Sequence, residues 1–127
     1  MISFTSIPNL TTIRDKTLEE IGNLAISQVK SYFCDTLSFT LTDGQTCKSG
    51  TKVFTNNHTF DPTLKITKVE VIIHKYEVLI MSINFYSAKK TLIKVGGNSD
   101  EDLKRWGGRI ETFEIAADER LIGCKLD

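Results

Sequence analysis

The sequence predicts an all-β fold with one short helix, and three observations support this prediction. From residue 25 onward, apolar and polar residues alternate with a period of two, which is typical of half-buried strands. β-Branched residues are dense between residues 64 and 85, which favours paired strands over a helix. At least seven short strands recur at intervals of roughly ten residues, so we expect an antiparallel sandwich, barrel or prism.

The first part of the chain differs from the rest. Residues 1–24 are rich in Thr and Ser and alternate poorly, so we expect an N-terminal arm or irregular segment there. Within it, residues 15–22 have the spacing of one or two helical turns. Residues 25–127 then form a single β-rich domain.

The domain is predicted to begin with short strands and polar turns. Residues 37–42 alternate apolar with polar side chains, and an Asp-Gly turn follows at residues 43–44. Further short strands are expected at residues 53–54 and 59–60, with a turn at the two asparagines of residues 56–57.

The strongest β signal lies in the middle of the chain. Residues 64–73 and 76–85 are predicted strands, and every second residue from Leu79 to Phe85 is apolar, giving one continuous apolar face. Residues 91–95 form a further predicted strand that ends at a Gly-Gly pair.

A short helix is predicted over residues 99–106. Ser99 is a suitable N-cap, acidic residues fill the first turn, and basic residues fill the last. A second Gly-Gly pair at residues 107–108 ends the helix. Alternation resumes over residues 110–115, and residues 121–124 begin another strand.

Length and charge limit the classes of function. The chain has 127 residues, which suits one domain. Sixteen basic residues balance sixteen acidic ones, so an extended basic surface for nucleic acid is not expected. No apolar run is long enough to span a bilayer, and no signal peptide is recognisable.

The cysteines indicate a reducing compartment. Cys34, Cys47 and Cys124 are odd in number and lack a CxxC spacing, which argues against a disulfide framework and against a zinc site. We therefore expect reduced thiols, no bound metal and a cytoplasmic or otherwise intracellular protein.

Several short sequence segments follow one another in an order typical of a known family. They are a strand ending in Asp-Gly at residues 37–44, the strand of residues 66–71, an Ile-x-x-Ile-x-Phe strand at residues 80–85, a strand ending in glycine at residues 91–96, and the phrases Phe113-Glu114-Ile115 and Glu119-Arg120-Leu121-Ile122-Gly123. In this order, residues 26–127 resemble a jacalin-like lectin domain. The resemblance implies a three-sheet β-prism with Greek-key connections and a carbohydrate ligand.

The sugar site of that family uses a glycine near the start of the domain and a Gly-x-x-x-Asp loop near its end. Gly123 and Asp127 have this spacing, although Gly123 matches an earlier glycine of the family pattern better. Either the sequence is a fragment, or the domain lacks its closing hairpin and its usual sugar site. A missing last strand would leave a sheet edge for pairing with another chain.

Trp106 and Arg109 are the remaining candidate ligand-binding residues. An exposed Trp can stack on a sugar ring or anchor a protein partner, whereas a buried one would pack the helix onto the sheet. Arg109, in the same loop, can bind a carboxylate bidentately, or it can pair with the acidic residues nearby.

Signals for catalysis are weaker than those for binding. His74 has no nucleophile signature around it, so an enzyme would need a site assembled in space from His74 and a Cys or carboxylate. The Gly-Gly pair at residues 96–97 follows a strand and precedes a helix, but acidic residues come next and would repel a phosphate. A turn is the favoured interpretation.

The sequence therefore predicts a non-catalytic recognition module that needs no cofactor. Its ligand is a carbohydrate or a protein partner, and the module is expected to belong to a larger intracellular assembly. The candidate ligand-binding residues are Trp106, Arg109, Gly123 and Asp127. The alternative is a small enzyme built around His74.

Overall fold

The computed structural model of the chain describes residues 2–8, 25–61, 64–88 and 90–126. In these residues the chain forms ten strands and one short helix. In chain order they are β1 (Ile2–Pro8), β2 (Ile26–Tyr32), β3 (Thr36–Leu41), β4 (Thr46–Ser49), β5 (Asn56–Thr59), β6 (Lys68–His74), β7 (Ile80–Ser87), β8 (Lys90–Val95), α1 (Asp100–Trp106), β9 (Gly107–Glu114) and β10 (Glu119–Leu126).

The described strands form three antiparallel sheets. Two sheets have four strands each, in the orders β4-β3-β2-β5 and β8-β7-β6-β9, and the third pairs β1 with β10. In each four-stranded sheet, three consecutive strands are neighbours and the fourth returns to lie beside the first, which is the Greek-key order. The predicted all-β class with Greek-key connections and one short helix is confirmed.

The hydrophobic core lies where the three sheets meet. The ring of Phe85 on β7 is 6.1 Å from Phe4 on β1 and 6.1 Å from Phe39 on β3, measured between ring centroids. Phe60, just after β5, is 5.3 Å from the same ring. Each sheet therefore contributes an aromatic side chain to one shared core.

Residues 2–8 differ from the expected arm or irregular segment, because they form strand β1. Ile2 lies opposite Leu126 and Phe4 opposite Cys124 in the pairing with β10. Ile2 is buried, and Phe4 packs against the core cluster. Burial of these two apolar side chains offsets the entropy of ordering the segment. Residues 9–24, including the predicted helical turns, lie outside the described residues.

The region between β3 and β6 was only partly predicted. The asparagines expected as a turn are in strand β5, where Asn57 pairs with Lys30 and Asn56 with Ser31 of β2. Strand β2 itself escaped prediction because an irregularity between Ile26 and Gln28 breaks its alternation. Strand β4 is largely exposed, so it carries no apolar pattern.

The helix forms where its capping residues predict it. The Ser99 hydroxyl accepts a hydrogen bond from the Asp102 backbone N–H at 3.2 Å, and the Gly107 N–H donates to the Leu103 carbonyl. Asp100 in the first turn also forms an ion pair with Lys94 of β8 at 2.9 Å. Local signals therefore fix both ends of α1.

Candidate functional site

Five large apolar or aromatic side chains are exposed at one end of the molecule. They come from the turn after β2, the loop between β6 and β7, and the end of α1, and their exposure ranges from 38% for Trp106 to 89% for Val78. We call this group the end surface; its members are Phe33, Tyr76, Val78, Leu79 and Trp106. Antiparallel topology gathers them, because β2 and β6 both end on this side.

Trp106 ends α1 and lies against the end of β6. Its indole is stacked on the His74 imidazole, with ring centroids 5.8 Å apart and planes 11° apart. The Lys75 backbone N–H donates to the Trp106 carbonyl oxygen at 2.8 Å. The side chains of Lys75 and Arg105 also lie within 6 Å of the indole centroid. Trp106 thus combines a packing role with a partly exposed ring.

A pocket of about 440 Å³ opens beside Trp106. Its lining combines aromatic, apolar and polar side chains: His74, Tyr76, Glu77, Leu79, Met81, Asn98 and Trp106. The His74 Nδ1 accepts a hydrogen bond from the Tyr76 backbone N–H at 3.1 Å, which fixes the imidazole. Asn98 donates to the Met81 carbonyl at 2.8 Å, which leaves its Oδ1 as a potential acceptor for a ligand.

A second, more apolar pocket of about 380 Å³ adjoins the first and shares Leu79 and Asn98 with it. Its lining also includes Phe33, Val78 and Leu126. Together the two pockets form a continuous concave area along the loop between β6 and β7. Large apolar side chains around such an area are typical of a surface that contacts a partner.

Phe33 occupies an unusual backbone conformation in the turn between β2 and β3. Its φ is 51°, in the left-handed region that bulky residues rarely adopt. Its ring packs edge-on against Tyr32, with ring centroids 5.0 Å apart, and remains 59% exposed. Strained residues of this kind cluster at binding and switch sites, which supports a functional interpretation of the turn.

Gly96 lies in the turn between β8 and α1, at the same end of the molecule. Its φ is 120°, and a Cβ atom there would lie 2.5 Å from the Met81 carbonyl oxygen. The chain can therefore turn from β8 towards α1 only if this position lacks a side chain. The Gly-Gly pair at residues 96–97 acts as a turn, in agreement with the favoured interpretation.

Arg109 lies on the other side of the loop that Trp106 borders. It lines a pocket of about 320 Å³ with residues 73–78 and Gly108, and its Nη2 atom is 3.1 Å from the Glu111 carboxylate. Trp106 and Arg109 therefore flank one loop. Arg109 thus has an acidic partner, and this partner is Glu111 on the same strand β9.

Of the two remaining predicted site residues, only Gly123 is among the described residues. Gly123 is buried in β10, and a Cβ atom there would lie 3.6 Å from the Cys47 sulfur. It lines none of the pockets around Trp106 and Arg109. Asp127 lies outside the described residues.

The thiols are chemically distinct from one another. Burial raises the pKa of Cys34 to about 12, and the nearby Asp35 adds to the effect. Burial also raises the pKa of Cys124 to about 12, with Cys47 as a smaller cause. Cys47 itself is exposed. A thiol with a raised pKa is a poor nucleophile at neutral pH.

Several residues of the site were not predicted from the sequence. The sequence predicts Tyr76, Val78 and Leu79 at the start of a strand, but residues 75–79 form a loop and β7 begins at Ile80. The sequence does carry one signal there, because two charged residues, Lys75 and Glu77, interrupt the apolar pattern. Nothing in the sequence near Phe33 or Asn98 indicated that they would join this loop.

The comparisons with known proteins identify no relative. No protein-family model matches the chain, and neither the curated proteins nor the solved structures include a match to it. Within the described ranges, no helix is long and apolar enough to cross a membrane. The same residues contain no group of three His, Cys, Asp or Glu side chains arranged to hold a metal ion.

Proposed function

We propose that this chain is a non-catalytic recognition module that binds a protein partner through its end surface. One observation carries the proposal: five large apolar or aromatic side chains from three separate segments are exposed around two adjoining pockets. Isolated exposed apolar residues are ordinary, but a clustered set around a concave area favours an interaction site. Val78 and Tyr76 are the most exposed members of this set, so we expect both to contact the partner.

We further propose that the module has a jacalin-like β-prism architecture. Two Greek-key sheets and a third sheet around one aromatic core support this proposal. The third sheet has two described strands where the others have four. The candidate ligand-binding residue Gly123 is buried against Cys47, so the family's sugar site lends no support to a particular ligand here.

A protein ligand is favoured over a carbohydrate because of the surroundings of Trp106. Sugar recognition by stacking needs an aromatic ring with a free face, whereas the His74 ring is stacked on the indole and the charged groups of Lys75 and Arg105 lie within 6 Å of its centroid. The pocket lined by Phe33, Val78 and Leu79 is mainly apolar and suits a side chain of a partner. Carbohydrate stays as the second candidate, because Tyr76, Glu77 and Asn98 offer an aromatic ring and polar groups in one pocket.

The enzyme alternative has one observation in its favour. His74 and Glu77 line the same pocket, as a general acid or base and its partner would. The Cys34 thiol lines the adjoining pocket and has a raised pKa, which disfavours nucleophilic attack. Recognition therefore ranks above catalysis.

An intracellular assembly is the proposed setting of this module. The three cysteines are unpaired in the structure, which is compatible with a reducing compartment. Pairing of a sheet edge with another chain is also part of this proposal, because the third sheet has only two described strands.

The test compares two exposed valines. Val78 lies in the end surface, whereas Val53 is 82% exposed and lines none of the pockets at this end. Affinity capture with the wild-type chain identifies partners, and each purified candidate is then titrated against the wild type, Val78→Asp and Val53→Asp. We expect Val78→Asp to weaken binding by about tenfold or more and Val53→Asp to leave it unchanged.

Equal binding by both valine variants would contradict the end surface as the protein site. A glycan array and a thermal-shift series with monosaccharides at millimolar concentration test the carbohydrate candidate in parallel. A sugar whose binding is lost in Asn98→Ala but kept in Val78→Asp would replace the protein ligand by a carbohydrate.

A further inference from the structure

The two edges of the β1–β10 sheet differ in how their backbone groups are engaged. On the β10 side, the Leu126 backbone N–H donates to the Ser49 hydroxyl oxygen at 3.0 Å, and that hydroxyl lies 3.4 Å from the Leu126 carbonyl oxygen. The Cys47 thiol is 3.8 Å from the Cys124 carbonyl oxygen. The backbone groups of Leu126 and Cys124 therefore point away from β1 and towards β4.

This direction determines which way the backbone of β1 points. In an antiparallel pair, residues that lie opposite each other either exchange both backbone hydrogen bonds or direct all their backbone groups outward. Ile2 lies opposite Leu126 and Phe4 opposite Cys124. Because Leu126 and Cys124 point outward on one side, Ile2 and Phe4 point their N–H and C=O groups outward on the other side.

The outer edge of β1 therefore presents outward-directed backbone N–H and C=O groups of Ile2 and Phe4, which are the groups that pair with an added strand. No strand in the described part of the chain pairs with this edge. The Ile2 side chain is buried, and the Phe4 ring packs 5.0 Å from the Phe113 ring, which holds the strand in place. Ser3 and Thr5 are exposed on the opposite face.

We propose that β1 of a second copy of this chain adds antiparallel to this edge. Ile2 of each copy would exchange two backbone hydrogen bonds with Phe4 of the other, and the two Ser3 residues would face each other across the two-fold axis. The resulting sheet, β10-β1-β1-β10, would have four strands, as the other two sheets have. This pairing is independent of the end surface.

The composition of β1 favours a second copy as the occupant. Exposed edges of monomeric proteins usually carry charged side chains that oppose pairing, but residues 2–8 contain none. A neutral strand meets its own copy without charge repulsion. The irregularity between Thr5 and Ser6, followed by Pro8, confines the pairing to the first residues of the strand. Such a short contact predicts a weak, concentration-dependent dimer.

A charge-swap experiment at Ser3 tests the proposal. Sedimentation velocity of the full chain over a range of concentrations should show a monomer–dimer equilibrium. Ser3→Lys and Ser3→Glu each place like charges at the two-fold axis, so each should weaken dimerisation by about tenfold or more. An equimolar mixture of the two variants should restore the dimer, because opposite charges then face each other.

The exposed position of Ser3 keeps the monomer intact, and unchanged circular dichroism and Tm of each variant verify this. A wild-type chain that stays monomeric at all concentrations would overturn the proposal. So would a dimer that is insensitive to both single variants and to their mixture, because it would use another surface. The β1 pairing rests on the sheet-edge part of the proposed function. Neither result depends on the response of Val78→Asp, so this proposal and partner binding at the end surface can fail separately.

Discussion

The imidazole of His74 is stacked on the indole of Trp106, with the two ring planes 11° apart. His74 is the last residue of β6 and Trp106 the last residue of α1, so this contact joins the end of a central strand to the end of the helix. The hydrogen bond from the Lys75 N–H to the Trp106 carbonyl strengthens the same junction. The stack thereby positions the loop that carries Tyr76, Val78 and Leu79.

Replacing Trp106 with Ala should destabilise the fold only modestly. The ring is 38% exposed and is stacked on His74, so its partial burial and this stack together predict a loss of about 2 kcal/mol in the free energy of unfolding. Urea denaturation followed by circular dichroism measures this loss. Phe85→Ala, in the fully buried core, is the control and should cost about 3–5 kcal/mol. A Trp106 variant as unstable as the Phe85 variant would contradict a partly exposed role.

The adjacent glycines 96 and 97 should respond very differently to alanine. Gly96→Ala introduces a side chain at a φ of 120° and 2.5 Å from a carbonyl oxygen, so we expect a loss of about 2 kcal/mol or more. At Gly97 the nearest atom to a new Cβ is 4.0 Å away, so Gly97→Ala should change stability by about 0.5 kcal/mol or less. Thermal and urea unfolding of both variants compare the two effects. Equal losses would show that the turn does not depend on the conformation of Gly96.

One of the three thiols should react much faster than the others in the folded protein. Cys47 is exposed, whereas burial raises the pKa values of Cys34 and Cys124 to about 12 and keeps both as thiols. Titration with a disulfide reagent at pH 8 should therefore count one rapid thiol in the native chain and three in denaturant. In Cys47→Ser the rapid reaction should disappear. Rapid modification of Cys34 would instead reveal that the apolar pocket opens readily.

The pKa of Tyr86 should depend on Glu70. Burial raises the pKa of the Tyr86 phenol above its usual 10.0, and the charge of Glu70, whose carboxylate accepts a hydrogen bond from the phenol at 3.1 Å, raises it further. Glu70→Gln should therefore lower the pKa of Tyr86 towards 10.0. Carbon-13 NMR of the tyrosine Cζ atoms, assigned with Tyr86→Phe, follows the titration. Glu111→Gln, on the same sheet, serves as the control.

This shift has a defined effect on stability. Because the native phenol keeps its proton more strongly than the unfolded one, the contribution of Tyr86 is fully present below pH 10.0. It is lost as the pH rises through the raised pKa of the folded state. The decline in the free energy of unfolding over this alkaline range should be smaller in Glu70→Gln. An identical decline in the two proteins would contradict the role of Glu70.

Local patterns were sufficient for some elements and insufficient for others. The helix was predicted at its observed position because Ser99 and Gly107 act on their immediate neighbours. Strand β6 was predicted because β-branched apolar residues recur along it, and its observed burial alternates strictly. Strand β5 was missed because Asn56 and Asn57 favour turns in isolation, and their pairing with β2 overrides that preference.

The candidate site was predicted only in part for a related reason. Trp106 and Arg109 were recognised as residue types suited to binding, and both border the loop between β6 and β7. Gly123 matched a motif by spacing, but its position is a buried contact with Cys47. Residue type and spacing do not specify which loops become neighbours.

The sequence by itself determined the all-β class, the helix α1 and the turns at glycine, because these depend on interactions between residues close along the chain. Only the tertiary structure decided that Ile2 pairs with Leu126 and that Phe33 meets the loop of Val78. Such contacts depend on strand register and on the packing of three sheets around Phe85, and both are properties of the whole chain.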